Sequence, residues 1–584
     1  MTGPERGALG PRRVWRTLAP LPPLQHVHRA ANVLRKRTWA PWLPQLVAAW
    51  RRRAASIAID ATAMERLDVA LSVAPRLDSA AASAGHLVAA GRHVASLPPA
   101  SWQLDGARPL EVYEAHYLGW AEALVATGDD ADFARCWRSV ESWHRQAPAL
   151  TQPWEPYPRA RRALSCLRAA ARLRRSADPR APLLQRWLHE IALTAALPLG
   201  GLLERHLGAN HLLVNRLALA AIGAAMAPPA RRAHADVESW PAALIREWRG
   251  QFRSDGSHVE GSAMYHAQLL EDALTVAHLT GPTHGLAADI RTATRWCSGM
   301  QHPDGALPAF GDCDPGVLAD LPLLRHALAS ATPSAPAPHQ SAWVARANGG
   351  DVMVHTGPMV FTPQPGHAHA DGLSLEYSHQ GQRVLCDAGL SGYALAPLRP
   401  WNRSEAAHSV VEVPGDGQLE LWGSFRVGAR GETSVVATGV HAGWQWLAAR
   451  LSWPSGRHHQ LRLVALGPLG SLYLVDQVDH RSPPVLAALQ RLRLHEAIAP
   501  ISDRGDWRLT GAGALSVQSS GAYVAEPSRR FPRRGREVAT TTLVGIMPSG
   551  VPRHTLLSDR LGLADVRARL APVWKSVAAR AHIR

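Results

Sequence analysis

The sequence predicts a helical domain followed by an antiparallel β-sandwich, and three observations carry that prediction. Apolar residues recur at helical spacing from about residue 56 to 330, as in Leu212, Leu213, Leu217, Leu219 and Ile222. A Pro/Ser/Ala stretch at 331–341 interrupts the chain. Beyond it, apolar and polar residues alternate between glycine-containing turns. A chain of 584 residues also exceeds what one core usually supports.

Taken in order, residues 1–55 hold eleven Arg/Lys and a single acid, Glu5, with interspersed prolines. They read as a basic, partly disordered arm. Residues 56–330 form the helical domain and 331–341 the linker. Residues 342–565 form the sandwich: Leu373, Leu375 and Tyr377 fall on one face of a strand, Gln380-Gly381 turns the chain, and Val384 to Asp387 returns. Residues 566–584 read as a basic tail.

Lys and Arg number 63 against 47 Asp and Glu, a formal charge of +16, which favours nucleic acid, anionic lipid or an acidic polysaccharide as partner. Lys36 and Lys575 are the only lysines, so nearly all of this charge is arginine, the side chain suited to bidentate contact with carboxylates. A GC-rich coding sequence also produces such a composition. No basic platform interleaved with aromatics accompanies the charge, so nucleic acid is not the expected partner. The five cysteines are odd in number, scattered and contain no CxxC pair, so neither a disulfide framework nor a cysteine zinc site is indicated. No signal-peptide core or membrane-spanning run is visible, so the chain reads as cytoplasmic by default, with a periplasmic location left open.

Three polar clusters interrupt the apolar pattern. In HLGANHLLVN (206–215), Asn210 stands at a helix start, and His211 and Asn215 share a face at i, i+4. Capping and a satisfied core histidine would account for these residues as well as catalysis would. In SDGSHVEGSAMYHAQLLEDAL (254–274), a turn leads through Glu260 into a helix with Tyr265 and His266, which point about 100° apart, so one faces a cleft while the other packs. In GHAHADGLSLEY (366–377), His367, His369 and Asp371 share one face if the segment is extended. His369, Asp387 and His408 form either a two-histidine, one-carboxylate zinc set or a hydrogen-bonded polar cluster.

Together with EVYEAHYLGWAEAL (111–124), WEPYPRARRALSCL (154–167) and HPDGALPAFGDCD (302–314), these motifs resemble the heparinase II/III-like polysaccharide lyase family, which includes oligoalginate lyases. The likeness runs over residues 110–410. It implies an incomplete (α/α) toroid followed by an antiparallel β-sandwich. It further implies that Asn210 and His211 neutralise a substrate carboxylate, that Tyr265 and His367 are catalytic, and that Tyr393 is a second proton donor. His369, Asp387 and His408 fall on the family's zinc ligands, a structural site. Trp154, Tyr157, Glu260, His266 and Arg403 are candidate substrate contacts. The expected partner is an acidic polysaccharide or oligosaccharide.

The chemistry so implied is removal of the proton beside a uronate carboxylate and expulsion of the C4 oxygen. Amide and imidazole donors stabilise the developing enolate. A phenol whose pKa is depressed by nearby positive charge supplies the base. His367, Tyr265 or Tyr393 protonates the leaving oxygen, depending on syn or anti geometry. Glycoside hydrolysis would instead require two opposed carboxylates, which these clusters lack. A non-degrading glycan-binding or exopolysaccharide-modifying protein on the same scaffold is the alternative.

Overall fold

The computed structural model describes residues 10–234, 239–281, 285–394, 397–480 and 487–582. Helices dominate up to residue 330 and strands follow, as expected for a toroid and sandwich. A small hairpin, His86–Ala89 with Arg92–Ser96, is the exception within the helical part.

The arm proves helical over its described residues. Helices α1 (Pro11–Leu18), α2 (Pro23–Trp39) and α3 (Leu43–Ala55) follow one another. Prolines fall in the first turn of each, where a missing N–H costs nothing because those N–H groups have no intrahelical partner. Prolines therefore mark helix starts in the described part of this arm.

Helix α4 (Pro156–Arg172) sits inside the ring, with every residue except Tyr157, Arg161 and Arg172 buried. Its small residues Ala160, Ala163, Ala169, Ala170 and Ala171 admit close neighbours, among them α5 (Ala209–Ala225) and α6 (Ala263–Thr280). Its buried arginines are partnered to different degrees, with Arg162 Nε and Nη2 lacking hydrogen-bond partners. Arg168 donates to Glu122 at 2.8 Å, and Arg162 donates to the His116 carbonyl at 3.1 Å and lies over the rings of Trp143 and Trp154. A buried guanidinium without such partners would be strongly destabilising.

The linker leads into a four-stranded antiparallel sheet of β1 (Ala342–Ala347), β2 (Gly350–His355), β3 (Leu375–His379) and β4 (Gln382–Leu385). The β3–β4 turn is Gln380-Gly381, both at positive φ, as a two-residue hairpin of this hand requires. Leu375 and Tyr377 do lie in the strand, but Leu373 precedes it at φ 61°. An eight-stranded antiparallel sheet and a further four-stranded one complete the sandwich.

The segment predicted as a basic tail is instead helix α7 (Leu563–His582). Its Val566, Leu570, Val573 and Val577 bury against Trp444, Leu463 and Tyr473 on the outer face of the large sheet. Their i, i+4, i+7, i+11 spacing explains the helix, and the second buried face of the sheet explains its docking. All five cysteines are buried and free.

Candidate active site

The site is built where α5, the entry to α6 and two sandwich segments converge. Helix α5 begins at Ala209, with Gly208 at positive φ as its N-cap, so Asn210 stands inside the first turn instead of capping it. The i, i+4 pair then works as its spacing suggests. His211 Nδ1 lies 3.3 Å from Glu204 Oε1, and Asn215 Nδ2 donates to Glu204 Oε2 at 3.2 Å. Burial alone would lower the His211 pKa, but the charge and hydrogen bond of Glu204 outweigh it and hold the imidazolium above its usual range. Burial likewise opposes the ionised Glu204, and His211 and Asn215 nevertheless keep its carboxyl below the ordinary value. The His211 ring packs 4.4 Å from Tyr157.

Glu260 ties this helix to the sandwich. Its Oε1 accepts the Asn210 backbone N–H at 2.8 Å and its Oε2 bonds His367 Nδ1. Burial would raise the Glu260 carboxyl, yet His367 and the Asn210 N–H hold it low. The His367 ring stacks 4.0 Å from Tyr265, whose hydroxyl is 2.6 Å from that of Tyr393. Glu260, the Tyr265–His367 stack and the Tyr265–Tyr393 hydroxyl contact thus link Asn210, Glu260, His367, Tyr265 and Tyr393 across both domains, and His211 with Tyr157 adjoins them beside Asn210, within the field of Glu260. Asn210 Oδ1 is buried without a hydrogen-bond partner.

Ser262 caps α6 by accepting the Tyr265 N–H, and its hydroxyl donates to the Asp312 carbonyl at 2.6 Å, which anchors the helix start to the 309–314 loop. Tyr265 and His266 do diverge: Tyr265 is half-buried in the cluster, whereas His266 packs among Phe252 and Trp296 and meets the Ala293 carbonyl at 3.1 Å. Burial pushes the His266 pKa down to about 3, so it is a neutral core residue, and not a substrate contact. Trp154 is corrected in the same way: it is buried, donates to Ala147 O at 2.9 Å and underlies Arg159 and Arg162. Arg403 is buried too and donates to the Ala368 carbonyl at 3.0 Å, fixing the loop next to His367.

The surroundings of Tyr265 do not depress its pKa. Burial, then the neighbouring Tyr393 and Asp312, push the phenol well above its ordinary value. Tyr393 is raised for the same first reason.

Nor do His367, His369 and Asp371 share a face. Pro365–His367 is a short 3-10 turn, so alternation does not apply. His367 meets Glu260, His369 Nε2 lies 2.8 Å from Asp312 Oδ1, and Asp371 Oδ1 lies 3.1 Å from His355 Nδ1.

His408 Nδ1 is 2.6 Å from Asp387 Oδ2, and the His369 and His408 rings are 5.3 Å apart. Among the described residues no three His, Cys, Asp or Glu side chains stand ready as a metal cluster. The donor types nevertheless suit zinc, because His369 Nδ1, His408 Nε2 and Asp387 Oδ1 are buried without hydrogen-bond partners.

Sequence reasoning missed Asp312, Arg399, Glu204 and Arg534. Arg399 forms a two-pronged ion pair with Asp312, one prong at 2.8 Å, and its guanidinium lies 5.2 Å from the Tyr393 ring. Burial would favour the neutral carboxyl, but Arg399 and His369 hold Asp312 well below the carboxylate range. Arg534 reaches from a distant sandwich hairpin to Glu114 at 2.7 Å, and its charge acts on both Tyr393 and Tyr265. Glu204 lies six residues before Asn210 and Asp312 within the 302–314 motif, so proximity to a motif was the available signal. Arg534 had none.

Residues 115–322 match the family described as heparinase II/III N-terminus, and residues 330–549 match the one described as heparinase II/III-like, C-terminal. No curated protein matches the chain. Among solved structures, a heparinase III is similar at 14% identity and TM-score 0.58, covering 86% of this chain and 85% of that one. The heparan sulfate lyase HepC from Pedobacter heparinus is similar at 15% identity and TM-score 0.52, covering 88% of each chain. At these identities the structural likeness shows a shared fold. With both halves matched in order, the chain belongs to the heparinase II/III-like family of polysaccharide lyases.

Proposed function

We propose that this chain cleaves a uronate-containing acidic polysaccharide by β-elimination. The observation that carries the reading is the cluster in which two imidazoles and three phenols gather at the first turn of α5 and across the domain junction, with Glu260 bonding both the Asn210 main-chain N–H and His367. In the reaction the C5–H bond gives up its proton, the electron pair forms the C4–C5 double bond, and the C4–O bond breaks, its oxygen taking a proton.

Asn210 and the imidazolium of His211 bind the carboxylate and stabilise the enolate, an electrostatic role whose loss costs roughly a hundredfold or more per donor. Tyr265 is the proton carrier. Because burial keeps its resting phenol neutral, it acts as a base only after its proton leaves, and the 2.6 Å contact with Tyr393 is a hydrogen-bonded path out. His367, stacked on Tyr265, and Tyr393 are the candidate donors to the leaving oxygen. Tyr157, half-buried against His211, remains a candidate substrate contact, and Glu260 is a positioning residue.

Zinc is the proposed cofactor, held by His369, Asp387 and His408. When bound it supplies a structural tie that fixes the loop bearing His367. Asp312 on His369 Nε2 is the second partner that orients that ring.

Incubation with alginates, glycosaminoglycans and bacterial exopolysaccharides tests the proposal. The expected result is new ultraviolet-absorbing unsaturated ends on at least one of them. Binding of a uronate glycan with no unsaturated product would refute elimination and favour the non-degrading reading.

A further inference from the structure

Helix α2 is folded inside out. Its polar residues Gln25, Arg29, Asn32 and Lys36, spaced i, i+4, i+7, i+11, all face the protein. Gln25 Nε2 donates to the carbonyls of His206 at 3.1 Å and Pro363 at 2.8 Å, and Arg29 Nε donates to His206 O at 3.3 Å. Asn32 Nδ2 lies 3.1 Å from His206 Nε2, and Lys36 pairs with Glu155 at 2.7 Å. The opposite face carries Leu24, Val27, Ala31 and Leu34 at i, i+3, i+7, i+10, and all four are exposed. Leu24, Val27 and Leu34 keep 63%, 62% and 64% of their surface in solvent. Four apolar residues in register on a helix's outer side form a continuous stripe, unlike scattered surface leucines.

Two further features belong to the same arm. Trp15 on α1 is 71% exposed, and Trp39 and Trp42, at and just beyond the C-terminal end of α2, are exposed as well. No Asp or Glu occurs between residues 10 and 55, whereas Arg12, Arg37, Arg52 and Arg53 are exposed there. An aliphatic stripe on an arm that carries exposed tryptophans and arginines and contributes no acid of its own, Glu155 and Glu420 being engaged by Lys36, Arg13 and Arg16, matches the interface of an anionic lipid bilayer, where apolar groups enter the acyl boundary, indoles sit at headgroup level and guanidinium groups meet phosphate. Pairing of this face with a second copy would oppose positive charge to positive charge with no counter-ion from either helix. A sugar chain or nucleic acid would answer the charge but not the aliphatic stripe.

We propose that α1–α3 form a docking surface for anionic lipid bilayers, with the outer stripe of α2 inserted at the interface. The inner face of α2 joins the helical domain at His206 and the sandwich at Pro363, so docking would hold the junction of the two domains against the membrane.

The full chain is to be floated with extruded vesicles of phosphatidylcholine alone or mixed with phosphatidylglycerol, at low and high salt. The expected result is binding to the anionic vesicles, falling at least about tenfold in partition coefficient at high salt or in the double variant Leu24→Glu/Leu34→Glu. Circular dichroism and thermal melting of that variant should match the parent, since both side chains already face solvent. Absence of binding, equal binding to phosphatidylcholine alone, or undiminished binding of the double variant would each overturn the proposal. So would a dimer in light scattering that the double variant abolishes while vesicles are ignored, which would assign the stripe to a second copy.

Discussion

Replacing Tyr265 with phenylalanine removes one oxygen from the centre of the cluster and leaves the ring stacked on His367. Two magnitudes follow from its surroundings. The hydroxyl's 2.6 Å bond to Tyr393 contributes about 0.5–1.5 kcal/mol, so folding stability should fall by no more than that. Loss of a proton carrier costs about 10²–10⁴ in rate, or about 3–5 kcal/mol in the barrier. The rate effect must therefore far exceed the stability effect. The pH profile adds a second signature. An ordinary phenol costs about 4 kcal/mol to ionise at pH 7, and burial raises the Tyr265 value further, so turnover by a tyrosinate should climb as pH rises. Initial rates of unsaturated-end formation, measured across pH with chemical denaturation alongside, provide the assay. A Tyr265→Phe protein that retains kcat within about threefold of the parent, or loses activity only in proportion to unfolding, would refute the assignment.

The Glu204–His211 pair sets a further pH response. His211 is raised and Glu204 lowered, so their mutual stabilisation is complete between the ordinary carboxylate and imidazole values and is lost as pH rises through the raised His211 value. If the imidazolium binds the substrate carboxylate, kcat/KM falls on that same alkaline side, and Glu204→Gln should move the falling limb to lower pH; a limb that stays put separates His211 from carboxylate binding. Arg399→Met strands the buried Asp312 charge and should destabilise the fold by about 3–5 kcal/mol, whereas adding Asp312→Asn should recover part of that loss in urea titrations. Unchanged midpoints in the single variant would show that the pair contributes nothing. Elemental analysis is expected to find one zinc per chain, removed by His408→Ala, and chelation is expected to lower the melting temperature; metal-free protein with an unaltered melt would leave His369, Asp387 and His408 as a hydrogen-bonded cluster alone.

Much of the site was legible because its signals are local. The i, i+4 spacing of His211 and Asn215 does put both on one carboxylate, and the 100° offset of Tyr265 and His266 does send one to the cluster and the other to the core. The Gln380-Gly381 hairpin followed from turn chemistry alone. What failed also had a local cause. The period-2 argument for His367, His369 and Asp371 needs an extended backbone, and the turn at Pro365–His367 removes that premise. Trp154 and Arg403, candidate substrate contacts by residue type, are buried, because residue type does not report burial.

By itself the sequence determined the order of helices and strands, the positions of the polar motifs and the family likeness, since periodicity, turn residues and motif spacing are properties of neighbouring positions. Only the tertiary structure decided which groups meet. Glu260 reaches Asn210 across 50 residues and His367 across 107, Arg399 reaches Asp312 across 87, and Arg534 reaches Glu114 across 420. Burial then reset their chemistry, raising the phenol of Tyr265, while Glu204 raised the pKa of His211 against it. Desolvation and charge pairing depend on what surrounds a group in space, and no window along the chain contains that information.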